Sequence, residues 1–167
     1  MILIYGGAVT APKPQRRARK IAMTPEEVTA FLDAERTCRV ATNGTGGPHA
    51  TPLWYLWEAS GDTGALWLTS LSRSQRWADL ERDPRIAVVV DAGHDYGELR
   101  GVELRGSVEV VGEVPRTGES HAELERVEQA FADRYTGGQF VVDGRHAWLR
   151  LRPEKITSWD FRKLARG

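Results

Sequence analysis

From residue 69 to residue 76 the chain reads Thr-Ser-Leu-Ser-Arg-Ser-Gln-Arg, a strand that ends in hydroxyls and passes into a helix with Arg73 and Arg76 in its first turn. The first N–H groups of a helix have no intrahelical partner and carry partial positive charge, so an anion is stabilised there. The two guanidinium groups add charge-assisted hydrogen bonds. Composition and position therefore suit a phosphate site. The same residues also suit a capped helix with solvated arginines, and sequence position alone does not separate the two. Trp54, Trp77 and Trp159 stand near this segment and have the shape to line a pocket for a flat ring.

Other candidates carry less. Gly44-Thr45-Gly46-Gly47 lies between two strand patterns and reads as a hairpin turn, not a phosphate loop. Asp91, His94 and Asp95 match no metal-ligand spacing, and no metal site is expected. His49, His121 and His146 are isolated in sequence, and the chain has no Gly-x-Ser-x-Gly elbow, so hydrolase chemistry is not indicated. Tyr55 and His49 carry groups able to give up a proton to such a site, although both types more often serve packing or the surface. Cys38, the one cysteine, reads as a small buried hydrophobe in a reducing cytoplasm.

The elements that must position these residues are mainly strands. Thr24-Pro25-Glu26-Glu27 forms a capping box and predicts a helix over 25–34 with Val28, Phe31 and Leu32 on one face. Strands are expected at 38–42, 49–57, 65–69, 85–90, 98–111 and 147–152. Ser72 is expected to cap a helix running from Arg73 to Glu81, and a further helix spans 119–136. Leu53 to Trp57 is apolar on both faces and should be covered on both. Pro52 removes a ladder donor there, which implies a bulge, a break in pairing, or a stretch whose backbone faces something other than a neighbouring strand. Six strands with short helices and hairpin turns predict a mainly β (α+β) chain folded as a six-stranded barrel.

Length and charge set the remaining bounds. The 167 residues suit one domain. Residues 1–20 hold Lys13, Arg16, Arg17, Arg19 and Lys20 and no acid, so this arm is +5, while residues 21–167 carry 18 basic against 23 acidic side chains, or −5. An acidic body argues against a nucleic-acid partner, because phosphate neutralisation by Lys and Arg supplies most of that affinity. No segment approaches the length of a membrane span. Residues 1–23 are expected to form a flexible basic arm and 24–167 the folded domain.

Ala50-Thr51-Pro52-Leu53-Trp54-Tyr55, Leu66-Trp67-Leu68-Thr69, Ser74-Gln75-Arg76 and Leu80-Glu81-Arg82-Asp83-Pro84-Arg85 together resemble the split β-barrel flavoproteins related to pyridoxamine 5′-phosphate oxidase. Asp95-Tyr96, Leu99-Arg100-Gly101-Val102, Arg134-Tyr135-Thr136-Gly137 and Ser158 to Leu164 look most like the deazaflavin-dependent reductases within that group. The resemblance covers roughly residues 24–165.

It implies an FMN-binding-like split barrel and a homodimer with the cofactor in a groove at the subunit interface. The cofactor it implies is coenzyme F420, with FMN as the alternative. It also implies hydride transfer to a small or planar organic acceptor, or else an FMN-dependent oxidoreductase or a non-catalytic flavin, deazaflavin or tetrapyrrole carrier. By the same resemblance Thr51, Pro52, Leu53 and Trp54 run along the ring, Thr69, Ser74, Gln75 and Arg76 hold the phosphate with Trp77 beside them, and Trp159 and Arg162 approach from the partner. Arg76 replaces the usual lysine of the motif and keeps its charge. The family's vitamer-recognising Arg-x-His-Asp-Arg run is absent after Trp159, which argues against vitamin oxidase activity. The loops 91–97 and 136–145 are expected to shape the acceptor site. F420 has an acidic oligoglutamate tail that FMN lacks, over which a cationic arm could fold.

Overall fold

The computed structural model describes residues 10–16, 18–60 and 63–166. Among these are seven strands: β1 (Thr37–Gly44), β2 (Gly47–Ser60), β3 (Thr63–Leu71), β4 (Arg85–Ala92), β5 (Arg100–Val111), β6 (His146–Leu151) and β7 (Lys155–Asp160). The helices are α1 (Pro25–Ala34), α2 (Gln75–Arg82) and α3 (Ala122–Tyr135). Antiparallel neighbours run β4-β1-β2-β3-β6-β5, and a β4–β5 pairing closes them into the expected six-stranded barrel, with β7 added on β5.

Two long strands change partners, and this splits the barrel. β2 pairs with β1 from Gly47 to Trp54 and with β3 from Tyr55 to Ser60. β5 pairs with β7 from Arg100 to Arg105 and with β6 from Val108 to Val111. Gly106 sits at that changeover, where a Cβ would come within 3.0 Å of the Arg152 carbonyl oxygen.

Strand alternation sorts the side chains into two cores. Val40, Leu66, Leu68, Val88, Val90, Leu104, Leu149 and Leu151 fill the barrel, against Val28, Phe31 and Leu32 of α1 and Trp77 and Leu80 of α2. The intervening Trp67 and Trp148 point outwards and pack with Leu124, Val127 and Phe131 of α3. Each such side chain, fully buried, stabilises the fold by about 1.5–3 kcal/mol. No helix among the described residues is long and apolar enough to cross a membrane.

α1 forms where the capping box placed it, with Thr24 and Glu27 bonded reciprocally. α2 begins at Gln75 because Ser74, not Ser72, caps it. The Ser72 hydroxyl is taken by the Arg145 carbonyl at 3.0 Å. α3 starts at Ala122 behind a His121 cap. β7 was not anticipated as a strand. The arm also differs from a free extension over its described part. Lys13 N–H donates to the Glu154 carbonyl at 2.9 Å, and the Gln15 amide exchanges hydrogen bonds with the Ser158 backbone at 2.9 and 3.1 Å. Residues 1–9 and Arg17 lie outside the described residues.

On β5 and β7, Gly101 faces Trp159, and a Cβ on Gly101 would run into the indole ring. Gly101→Ala should therefore lower stability by about 1–3 kcal/mol, the range for overpacking. Urea denaturation of the two proteins measures the difference.

Candidate cofactor site

The split between β2 and β3 leaves two strand edges open. The Tyr135 hydroxyl donates to the Tyr55 carbonyl at 2.6 Å and accepts the Tyr55 N–H at 3.4 Å, so the Tyr55 backbone groups face the β1 side. With a two-residue period, Leu53 and Thr51 face β1 as well, whereas Trp54, Pro52 and Ala50 aim their backbone groups at the edge that β3 has left. Pro52 therefore removes no ladder bond: pairing with β1 runs on through Arg39, and of the three readings of this proline the backbone turned away from a neighbouring strand is the one the structure has. Opposite, β3 pairs with β2 only as far as Leu68, and Thr69 to Leu71 keep β6 alone.

Arg76 reaches across this gap. Its Nε donates to Ser70 Oγ on β3 at 3.2 Å and its Nη1 to Thr51 Oγ1 on β2. The residue is 7% exposed, and among the described residues it has no carboxylate partner. Burial pulls its pKa below the usual arginine value. Ser74 caps the same helix by accepting Trp77 N–H at 3.2 Å, and the amides of Gln75 and Arg76 precede the first intrahelical bond, Ala78 N–H to the Ser74 carbonyl.

A polar web anchors α2. Gln75 Nε2 donates to Asp79 Oδ1 at 2.8 Å, and Thr42 Oγ1 to Asp79 Oδ2 at 3.0 Å. Asp79 is fully buried, and chiefly the Gln75 bond, then those from Thr42 and Arg82, hold its carboxyl below the ordinary range against the effect of burial. The Gln75 side chain thus secures the helix. Trp77 lies in the barrel core with its indole N–H on Glu81 at 3.1 Å, so the structure does not bring its ring to the split. The two sequence candidates for proton donor are displaced as well. Tyr55 is fully buried, its hydroxyl donates to the Leu32 carbonyl at 2.6 Å, and burial raises its pKa. His49 Nδ1 is buried without a hydrogen bond, 3.7 Å from Asp79 Oδ2. Cys38 is buried, which pushes its thiol up to about 12.

Alongside lies a groove of about 490 Å³ lined by Leu53, Trp54 and Thr69, by Phe131, Phe140 and Trp148, and by the loop after α3. Trp54 is 47% exposed, so β2 is not covered on both faces within one chain. Its ring stacks on Tyr135 with centroids 4.7 Å apart and 8° between planes. Pro48, Ala50 and Pro52 continue this exposed row. Of the two loops expected to shape an acceptor site, 136–145 supplies Thr136, Gln139, Phe140 and Asp143, whereas 91–97 lines no part of the groove and sends Tyr96 against Phe161, 4.8 Å between centroids. Another cavity, of about 530 Å³ and lined by Lys13, Thr42, Arg85 and Lys155 among others, takes in none of the candidate residues.

Trp159 and Arg162 do not join the split in the same chain, since β1, β4 and β5 stand between β2 and β7. The Arg162 guanidinium is paired with Asp160 at 2.7 and 2.9 Å. Sequence reasoning also missed residues that line the groove. Arg116 is 5% exposed and bonds Glu128 at 2.6 and 3.2 Å and Glu113 at 2.5 Å, and Glu128 also accepts the Trp148 indole N–H at 3.0 Å. Asp143 and His146, three residues apart, form a second polar pair at its rim.

Comparison with known proteins agrees with the fold. Residues 24–160 match the family model described as pyridoxamine 5′-phosphate oxidase, and the chain belongs to that family. No curated protein matches it. Among solved structures, the conserved hypothetical protein Rv2991 from Mycobacterium tuberculosis is similar with a TM-score of 0.73 and 30% identity, over 90% of this chain and 93% of that one. A FAD-binding protein from Mesorhizobium loti is similar at 0.62 and 20% identity, over 82% and 93% of the chains. A protein named F420 reductase is similar at 0.58 and 20% identity, over 80% and 98%.

The two buried arginines predict opposite responses to truncation. Arg76→Met should change unfolding stability by no more than about 1 kcal/mol, because a buried charge without a counter-ion is removed, whereas Arg116→Met should cost about 3–5 kcal/mol by stranding Glu128 and Glu113. Denaturant midpoints measure both. Asp79 adds an acid response. Its folded pKa lies below its unfolded value near 3.8, so its contribution is complete above that pH and is lost as pH falls through the folded pKa. Asp79→Asn should show less loss of stability between neutral pH and the acid side of that range than the native chain, read from melting temperatures across pH.

Proposed function

We propose that the chain is an F420-dependent reductase whose cofactor lies at the split between β2 and β3, at the interface of a homodimer, with a small or planar organic molecule as hydride acceptor. The observation that carries this reading is Arg76, a buried cation that spans the split with hydroxyls for partners and, among the described residues, no acidic side chain against it. A phosphate supplies the missing charge. Thr51, Ser70, Arg76 and the leading amides of α2 would hold it. Leu53, Trp54 and Thr69, with the open backbone edge of Pro52 and Trp54, would flank the ring.

The residues fit such a group on physical grounds. The groove is largely apolar and aromatic, with a few polar side chains in its lining, as ring-bearing cofactors require. Bound there, the deazaflavin supplies hydride chemistry, and the protein's part is orientation, exclusion of water and charge neutralisation. The exposed row Pro48, Ala50, Pro52 and Trp54, beside an unpaired strand edge, supports a second chain as its cover. Sedimentation should then return the mass of two chains.

Fluorescence quenching with F420 and with FMN tests the assignment. Saturable quenching by F420 is expected, while tight binding of FMN alone makes the chain an FMN protein instead. Arg76→Ala should weaken the bound cofactor by about 1–3 kcal/mol, roughly 5- to 150-fold, the worth of a charge-assisted contact in a dry site. Unchanged affinity would return Arg76 to a structural role.

A further inference from the structure

The polar pair at the rim of the groove has the geometry of an oriented proton carrier. In the turn Asp143-Gly144-Arg145-His146, Asp143 Oδ1 accepts the backbone N–H groups of Arg145 at 2.9 Å and His146 at 3.0 Å, which fixes the carboxylate. Its Oδ2 lies 2.6 Å from His146 Nδ1. Gly144, at φ 66°, occupies the left-handed region that lets the turn close in this way. Burial raises the Asp143 pKa, but the two amides and the imidazole outweigh it and hold the carboxyl at about 2, so it is ionised at neutral pH.

An ionised partner on Nδ1 makes that nitrogen the protonated one in the neutral ring and leaves Nε2 with a free lone pair. Among the described residues Nε2 has no partner. His146 stands on β6 opposite Leu71, two places from Trp148, which is opposite Thr69, so His146, Trp148 and Thr69 share the face of the sheet that floors the groove. Nearby charges do not compete for the ring. The Arg116 N–H donates to the His146 carbonyl at 2.7 Å while its guanidinium is matched by Glu113 and Glu128, and Arg145 is exposed.

We propose that His146 is the group that exchanges a proton with the molecule in the groove, and that Asp143 is its positioning residue. This rests on the groove being the cofactor site. In the forward direction an N–H or O–H bond of the bound molecule breaks, the proton forms a new bond to Nε2, and the electron pair stays on the heteroatom left behind. The imidazolium is balanced by the Asp143 carboxylate, which stays ionised. The proton then leaves to solvent through the ring's exposed edge, since 40% of the side chain is accessible. Protonation of a bound group runs the same steps backwards.

Two measurements on the whole chain test the assignment. Nitrogen-15 spectra of the histidine rings should show His146 protonated on Nδ1, and its Nε2 signal should move when F420 or FMN is added to saturation. Calorimetric titration with the same two compounds, in buffers of different ionisation enthalpy, should reveal proton exchange on binding that disappears in His146→Gln and changes in Asp143→Asn. An Nε2 signal that stays put at saturation, or proton exchange that persists unchanged in His146→Gln, overturns the role of His146 and leaves the cofactor reading standing. Absence of saturable binding by either compound to the native chain overturns both.

Discussion

A guanidinium shut away from water, with no carboxylate beside it among the described residues, is the constraint around which this site is organised. Removing an ion from water costs several kcal/mol even after relaxation, and two hydroxyls recover only part of it. Arg116 shows the other solution in the same molecule: it is as buried as Arg76, yet two glutamates and a backbone carbonyl close its shell. Arg76 lacks that closure, and its position on the first turn of α2 adds the positive end of the helix dipole to its own charge. The fold keeps the cation in place because α2 is clamped by Asp79 through Thr42 on β1 and by Trp77 and Leu80 in the barrel core. The unfavourable term is local, and on the proposed function an anion would relieve it.

The same partner changes that split the barrel create the surroundings that such an anion's carrier requires. Where β2 leaves β3, backbone groups of Trp54 and Pro52 become available beside Arg76, while α3 covers the outer face of β3 and β6 and builds an aromatic wall from Phe131, Phe140 and Trp148. Phe131 and Trp148 meet at 83° with centroids 5.5 Å apart, a favourable edge-to-face contact that makes this wall rigid. An anion end and a flat apolar end thus lie side by side on one scaffold. A ring joined to a phosphate matches both ends, whereas a simple inorganic anion would use only the first.

What the sequence disclosed follows the range of the forces involved. The α1 capping box is settled by residues three apart, and the structure has it where the pattern lies. The start of α2 depends on whether Ser72 or Ser74 caps, and that is decided by Arg145, 73 residues away, which occupies Ser72. Thr51, Ser70 and Arg76 converge because β2 and β3 part, an event no local pattern records. Trp77 and Trp54 look equivalent in sequence, but the helix face turns one into the core and the strand edge leaves the other half exposed. β7 follows Pro153 and alternates weakly, and only pairing with β5 and the bonds from Gln15 make it a strand. Asp143 lies in a loop and His146 looks isolated in sequence, and only the fold places the pair beside Thr69.

These two classes of contact divide the site into a fixed and a variable part. Arg76, Thr51 and Ser70 are held by strands and a clamped helix, so their positions are set by the barrel itself. The opposite wall belongs to the loop 136–145, where Val141 and Val142 are exposed and few backbone groups are committed to the core. A chain can rewrite that loop without touching Arg76, Thr51 or Ser70. Asp143 and His146 sit on the boundary: the carboxylate lies in the loop, while the imidazole stands on the first residue of β6. On the role proposed for His146, proton exchange in the groove would be tied to its fixed wall through the histidine and adjustable from its variable wall through the aspartate.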